Sequence, residues 1–133
     1  MRIVIDRPPN YDKINAAFNI AGLPVIFAYG DTIYNPGNGE VTRSLIEHEL
    51  THCIQQADSP EAWWDLYIES PDFRFTQELA AHRAEFDHYR KRHVGKRSTR
   101  YLEHCASKFS SPVYGNIVTH AQARHAILTG EMP

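Results

Sequence analysis

The first third of the chain mixes short apolar runs with one helical stretch; from about residue 42 the spacing of apolar positions is helical almost throughout. Ile3 to Ile5 reads as a short strand stopped by Pro8-Pro9, and Tyr11 to Ala21 carries Ile14, Ala17, Phe18 and Ala21 at helical spacing before Gly22 and Pro24. Val25 to Tyr29 is β-branched and aromatic. Thr32 to Tyr34 resumes that pattern after Gly30-Asp31, which predicts a hairpin. After the loop Asn35-Pro36-Gly37-Asn38-Gly39, Thr42 or Ser44 caps a helix on which Ile46, Leu50 and Ile54 form the buried stripe, with His48, Glu49, His52 and Gln56 toward another side.

Ser59-Pro60 starts the next helix, through Trp63, Trp64, Tyr67 and Ile68 to Ser70-Pro71. A longer one follows, with Phe75, Leu79, His82, Phe86 and Tyr89 at alternating spacings of four and three and Gly95 closing it. Tyr101, Leu102, Cys105 and Phe109 predict another helix, broken at Ser111-Pro112. Thr119 with Gln122 forms a capping box ahead of Ala121 to Leu128, which Gly130 ends. The expected fold class is α+β: one mostly helical domain over residues 1–133, with a small N-terminal sheet or hairpin ahead of the helix at 42–56.

Composition narrows the class. At 133 residues, 42% hydrophobic and 23% charged, the chain matches a soluble domain with one proper core. No run approaches a membrane span, and Met1-Arg2-Ile3-Val4-Ile5-Asp6 breaks to charge too soon for a secretory leader, so a cytoplasmic location is expected. Cys53 and Cys105 have no metal-binding or disulfide spacing and read as reduced thiols. A net charge of -2 gives no general attraction to nucleic acid. Six of the 14 basic residues nevertheless fall between Arg90 and Arg100, at what reads as a helix C-terminus, where they complement the dipole. A nucleic-acid or acidic partner at that cluster is the alternative they leave open.

The chemistry is concentrated in His48-Glu49-Leu50-Thr51-His52. Helical residues four apart share a face, so His48 and His52 can offer two imidazoles to one Zn²⁺, and Glu49 can act as general base on a water there. A third protein ligand is needed. Asp58 would require a sharp turn at Gln55, yet Cys53-Ile54-Gln55-Gln56 looks like unbroken helix. Glu78 lies at the edge of the apolar stripe on the long helix, with the small Ala81 permitting close helix packing. Glu85 is two turns further along the same face. Glu49-x-x-His52 and Glu85-x-x-His88 also form the pairs of a di-iron carboxylate protein, but the further glutamates and long four-helix pattern of that class are missing.

The string from His48 to Gln56, a Trp/Tyr-rich helix, and Arg74-Phe75-Thr76-Gln77-Glu78-Leu79-Ala80-Ala81-His82 together resemble the small gluzincin-type metallopeptidases encoded by phages and prophages. The segment from Phe27 to Pro36 and the loop from Ser110 to Asn116 are similar to that group too, so the likeness covers about residues 25 to 128. It implies a zincin-like domain hydrolysing peptides or proteins in the host cytoplasm, with His48, His52 and Glu78 on zinc and Glu49 as base. Tyr114 is the candidate oxyanion donor, with Tyr34 second, and Val25 to Tyr34 is a segment on which a substrate backbone could add as a strand. The chain departs from the pattern at one point. Many gluzincins carry Asp four residues after the ligand glutamate, and here that position is His82, which brings no carboxylate charge to a ligand histidine. A zinc-binding interaction module without catalysis is the second reading.

Overall fold

The computed structural model describes residues 1–111, 114 and 118–133. Pro112, Val113 and residues 115–117, part of the loop in the family likeness, lie outside the described residues. The architecture is α+β. Strand β1 (Arg2–Val4), helix α1 (Tyr11–Phe18), strands β2 (Phe27–Tyr29) and β3 (Thr32–Tyr34) precede helices α2 (Arg43–Gln56), α3 (Pro60–Glu69), α4 (Pro71–Arg90), α5 (Lys96–Phe109) and α6 (His120–Thr129). Among the described residues no helix is long and apolar enough to cross a membrane.

The hairpin forms as expected, β2 antiparallel to β3 with Ala28 opposite Ile33. β1 joins in parallel on the far side of β3, giving the order β1-β3-β2. Tyr34 therefore lies on the central strand rather than on an edge, and its ring packs with the N-terminal apolar cluster. The exposed edge of β2 is also spoken for. Gln56 donates from Nε2 to the Ala28 carbonyl (2.8 Å) and accepts the Gly30 amide (2.7 Å), as a neighbouring strand would. Trp64 Nε1 donates to the same carbonyl. Strand addition between Ala28 and Gly30 is closed by these side chains.

Helix ends follow local chemistry. Thr42, not Ser44, caps α2 by accepting from the Leu45 amide; Ser44 is buried and bonds Nδ1 of His88 instead. Ser70 caps α4, with Pro71 at its first position, where no amide partner is needed. The Thr119–Gln122 capping box and the left-handed Gly130 bracket α6 as the sequence predicts. α1 stops earlier than expected, at a left-handed Asn19. α4 ends at Arg90, and Gly95 caps α5 rather than closing α4. The basic cluster is thus split. Arg90 and Lys91 pair with Asp87 at the end of α4, while Lys96, Arg97 and Arg100 occupy the first turns of α5, where the dipole opposes cations.

Two apolar clusters flank a polar seam. Ile14, Ile20, Phe27, Trp63, Trp64 and Tyr67 hold α1, the hairpin and α3 together, whereas Phe75, Leu79, Leu102, Cys105, Phe109 and Ile127 join α4, α5 and α6. Between them α2 and α4 make the most extensive element pairing of the fold. The face α2 buries there reverses the hydrophobic expectation: Ser44, His48, Glu49, His52 and Gln56 are inside, Ile46 and Leu50 are half-buried, and Ile54 is 78% exposed. Hydrophobic spacing identifies a buried face only when apolar burial is what holds it. Here side-chain pairing across the seam offsets the desolvation that polar burial otherwise costs.

Candidate metal centre

Helical spacing places His48 above His52 on α2, and α4 brings Glu78 opposite them. Nε2 of His48 and Nε2 of His52 lie 3.1 Å apart, with Oε1 of Glu78 at 3.2 Å from the first and 2.9 Å from the second. The tautomers follow from the other ring nitrogens. Nδ1 of His48 is 2.9 Å from a carboxylate oxygen of Glu85, and Nδ1 of His52 is 2.8 Å from the amide oxygen of Gln55. Both partners accept, so both Nδ1 atoms carry protons, and in neutral rings both Nε2 atoms are bare lone pairs. Three acceptors then converge with no hydrogen of their own between them. Such a set needs a cation. Ligand atoms about 2.0 Å from a tetrahedral ion lie about 3.3 Å apart, close to the edges of this triangle, so the residues fit a metal ion.

The electrostatics agree. Burial alone would depress both imidazoles, yet the hydrogen bonds that His48 donates to Glu78 and Glu85 lift it to about 10, and the Glu78 charge raises His52. Burial would likewise raise Glu78, but the charge of His52 and the hydrogen bonds from both rings hold it well below the usual carboxylate range. The pocket demands positive charge, as protons or as a metal. Tyr67 donates its hydroxyl to the other oxygen of Glu78 and so aims the first. Gln55 is fixed in turn by donating to the Gln77 carbonyl.

Behind the His48 ring lies the second carboxylate. Oε1 of Glu85 accepts from Nδ1 of His48 and, at 3.0 Å, from Nδ1 of His82, while Oε2 accepts the Tyr101 hydroxyl. His48, His82 and Glu85 also form a group close enough to hold an ion. A neutral His48 that gives Nε2 to the Glu78 triangle must keep its proton on Nδ1, however, and this makes Glu85 its orienting acceptor. The missing acidic residue at position 82 is thus replaced from Glu85, one turn further along α4. The spacing Glu78, His82, Glu85 was visible in the sequence, but only tertiary packing shows that Glu85 meets the back of His48. His82, fully buried and held down to about 4 by burial and the adjacent His48 charge, is neutral, with its ring 4.4 Å from that of His48.

His82 also decides the part played by Tyr114. With its proton on Nδ1, its Nε2 accepts the Tyr114 hydroxyl at 2.8 Å. Tyr114 is among the residues lining the cleft in front of the histidines, but its proton is directed at His82 and not at an oxyanion. Arg74, which sequence reasoning passed over, places it: the buried guanidinium donates to the carbonyls of Tyr67, Ile68 and Tyr114, tying the end of α3 to that loop.

The cleft has a volume of about 530 Å³. One wall is apolar, from Phe18, Ile20 and residues 23–28, and Trp63, Trp64 and Tyr67 line it as well. Glu49 lines it together with His48, His52 and Glu78. Glu49 differs from the other buried carboxylates: among the described residues nothing hydrogen-bonds it, and burial raises its pKa. Asp58 lies exposed beyond the positive-φ turn at Ala57, away from these groups. His88 is bonded to Ser44 and completes no second metal pair with Glu85. Comparison with family models, curated proteins and solved structures finds no significant match to this chain.

Proposed function

We propose that the chain is a zinc-dependent peptidase of the gluzincin type, with His48, His52 and Glu78 on the metal and Glu49 as general base. One observation carries the reading: Nε2 of His48, Nε2 of His52 and Oε1 of Glu78 converge at the wall of a cleft that also holds one buried, unengaged carboxylate. Two imidazoles and one carboxylate are the ligand set of many catalytic zinc sites, in which a fourth position stays open. Zn²⁺ there would supply Lewis acidity to a peptide carbonyl and to the attacking water.

The chain's own residues supply the rest. Glu49 takes the proton of the attacking water and passes it to the leaving amine, and its burial-raised pKa suits a group that must both accept and return a proton. Glu85 and Gln55 hold the two imidazoles in the tautomer that leaves Nε2 available. The apolar wall receives the substrate side chain and excludes water. The likeness of residues 25–128 to phage-encoded gluzincins, and a cytoplasmic setting, accord with this chemistry. Zinc-loaded Glu49→Gln should retain one zinc per chain and lose peptide cleavage in a broad peptide screen; cleavage at the parental rate would refute the mechanism.

A second reading, a non-catalytic zinc module contacting nucleic acid or an acidic protein, has one observation in its favour. Lys96, Arg97 and Arg100 start α5 against its dipole, so helix stability does not explain them. DNA affinity that steepens as salt falls would support it, and no binding at low salt would remove it.

A further inference from the structure

Two side chains in the cleft have no part in the metal cluster. His104 and Lys108 are one turn apart on α5, share its face, and both line the cleft that holds Glu49 and the metal-ligand atoms. Among the described residues neither side chain makes a hydrogen bond or an ion pair. Among the described residues Lys108 is the only lysine or arginine in the lining. A cation in the last turn of a helix complements the dipole, which accounts for a lysine there. The dipole does not account for its facing a largely apolar cleft, nor for a second nitrogen donor one turn before it. The opposite requirement, a large apolar surface, is met by different elements: Phe18, Ile20 and Leu23.

We infer that His104 and Lys108 form an anion-accepting subsite of the metal cleft, which takes the carboxylate of a peptide whose apolar side chain lies against Phe18, Ile20 and Leu23. This rests on the peptidase reading and specifies its substrate class. The carboxylate has two sources, a free C-terminus or an acidic side chain, and the same ammonium and imidazole N–H would receive either. Lys108 then acts as a specificity determinant: it sets which peptides bind well and takes no part in proton transfer. Its charge also acts through space on Glu49, so an acidic ligand between them would be held by Lys108 and repelled by Glu49. That arrangement favours ligands whose carboxylate lies on the α5 side.

The test is binding to the full-length, zinc-loaded Glu49→Gln protein, followed through quenching of Trp63, whose ring is 5.2 Å from that of His52. Three probes suffice: acetyl-Ala-Ala-Leu-Ala with a free carboxylate, its carboxamide, and the carboxamide with Glu as the last residue. The free acid should bind about tenfold tighter than its amide, the worth of one charge-assisted hydrogen bond. Lys108→Gln should bring that ratio close to one, Lys108→Arg should keep it, and zinc content should be unchanged in both. Recovery of affinity by the Glu-containing amide assigns the subsite to side-chain carboxylates; no recovery assigns it to the C-terminus. A ratio near one in the parent, or a ratio unmoved by Lys108→Gln, overturns the subsite and leaves the peptidase reading standing. Absence of binding by all three probes to zinc-loaded protein overturns both.

Discussion

Replacing Glu85 by Gln removes one negative charge from a site that is 1% exposed while keeping its volume. The carboxylate receives three hydrogen bonds, from Nδ1 of His48, Nδ1 of His82 and the Tyr101 hydroxyl. A carboxamide oxygen can still accept from both rings, but its NH₂ would face the Tyr101 hydroxyl. The direct loss is the charge that makes His48 a stronger donor to a metal and fixes its tautomer. Orienting partners of this kind are worth about 10–100-fold in metal affinity, or about 1.4–2.8 kcal/mol. Glu85→Gln should therefore bind zinc with unchanged stoichiometry and an affinity about 10–100-fold weaker, measured by competition with a chromophoric chelator. Glu78→Gln, by contrast, should lose a ligand and fall below measurable stoichiometry in the same assay. Tyr101→Phe is the control for a bond on the far oxygen and should weaken zinc by about threefold or less. Two results would refute the reasoning. An affinity within twofold of the parent would show that Glu85 does not support His48. Complete loss of zinc in Glu85→Gln, with retention in Glu78→Gln, would make Glu85 the ligand.

Two further outcomes follow from the same cluster and its helix. The metal-free protein binds a proton at His48 up to about pH 10, held there by Glu78 and Glu85 against the effect of burial, and zinc must displace it. Apparent zinc affinity should thus rise about tenfold per pH unit between pH 7 and 9, with about one proton released per zinc in calorimetry across buffers of different ionisation enthalpy; a flat profile would mean that Nε2 of His48 is already free. Ile54, 78% exposed on α2, should tolerate Ile54→Lys within about 0.5 kcal/mol in chemical denaturation, whereas a buried stripe through that position would make the change cost several times more.

Much of the local chemistry was legible in the sequence. The Thr119–Gln122 box, Pro60 at a helix start, the hairpin across Gly30-Asp31 and the four-residue pitch of His48 and His52 each depend on a few adjacent residues, and each took the expected form. The helical spacing of Phe75, Leu79 and His82 likewise identified the inner face of α4. What the sequence could not decide was which groups meet across elements. Hydrophobic spacing assigned α2 the wrong inner face, because burial there follows hydrogen bonds to α4 and to the β2 edge, whose partners are 26 to 44 residues away. Glu85 stood within the right helix and was weighed only as a metal ligand; its place behind His48 depends on how α2 and α4 pack. Tyr114 was named for its hydroxyl, and tertiary structure directs that hydroxyl to His82. Spacing along one helix is set by backbone geometry alone, so a sequence displays it. The proton inventory of a buried cluster is set by every neighbour at once, so only the assembled fold determines it.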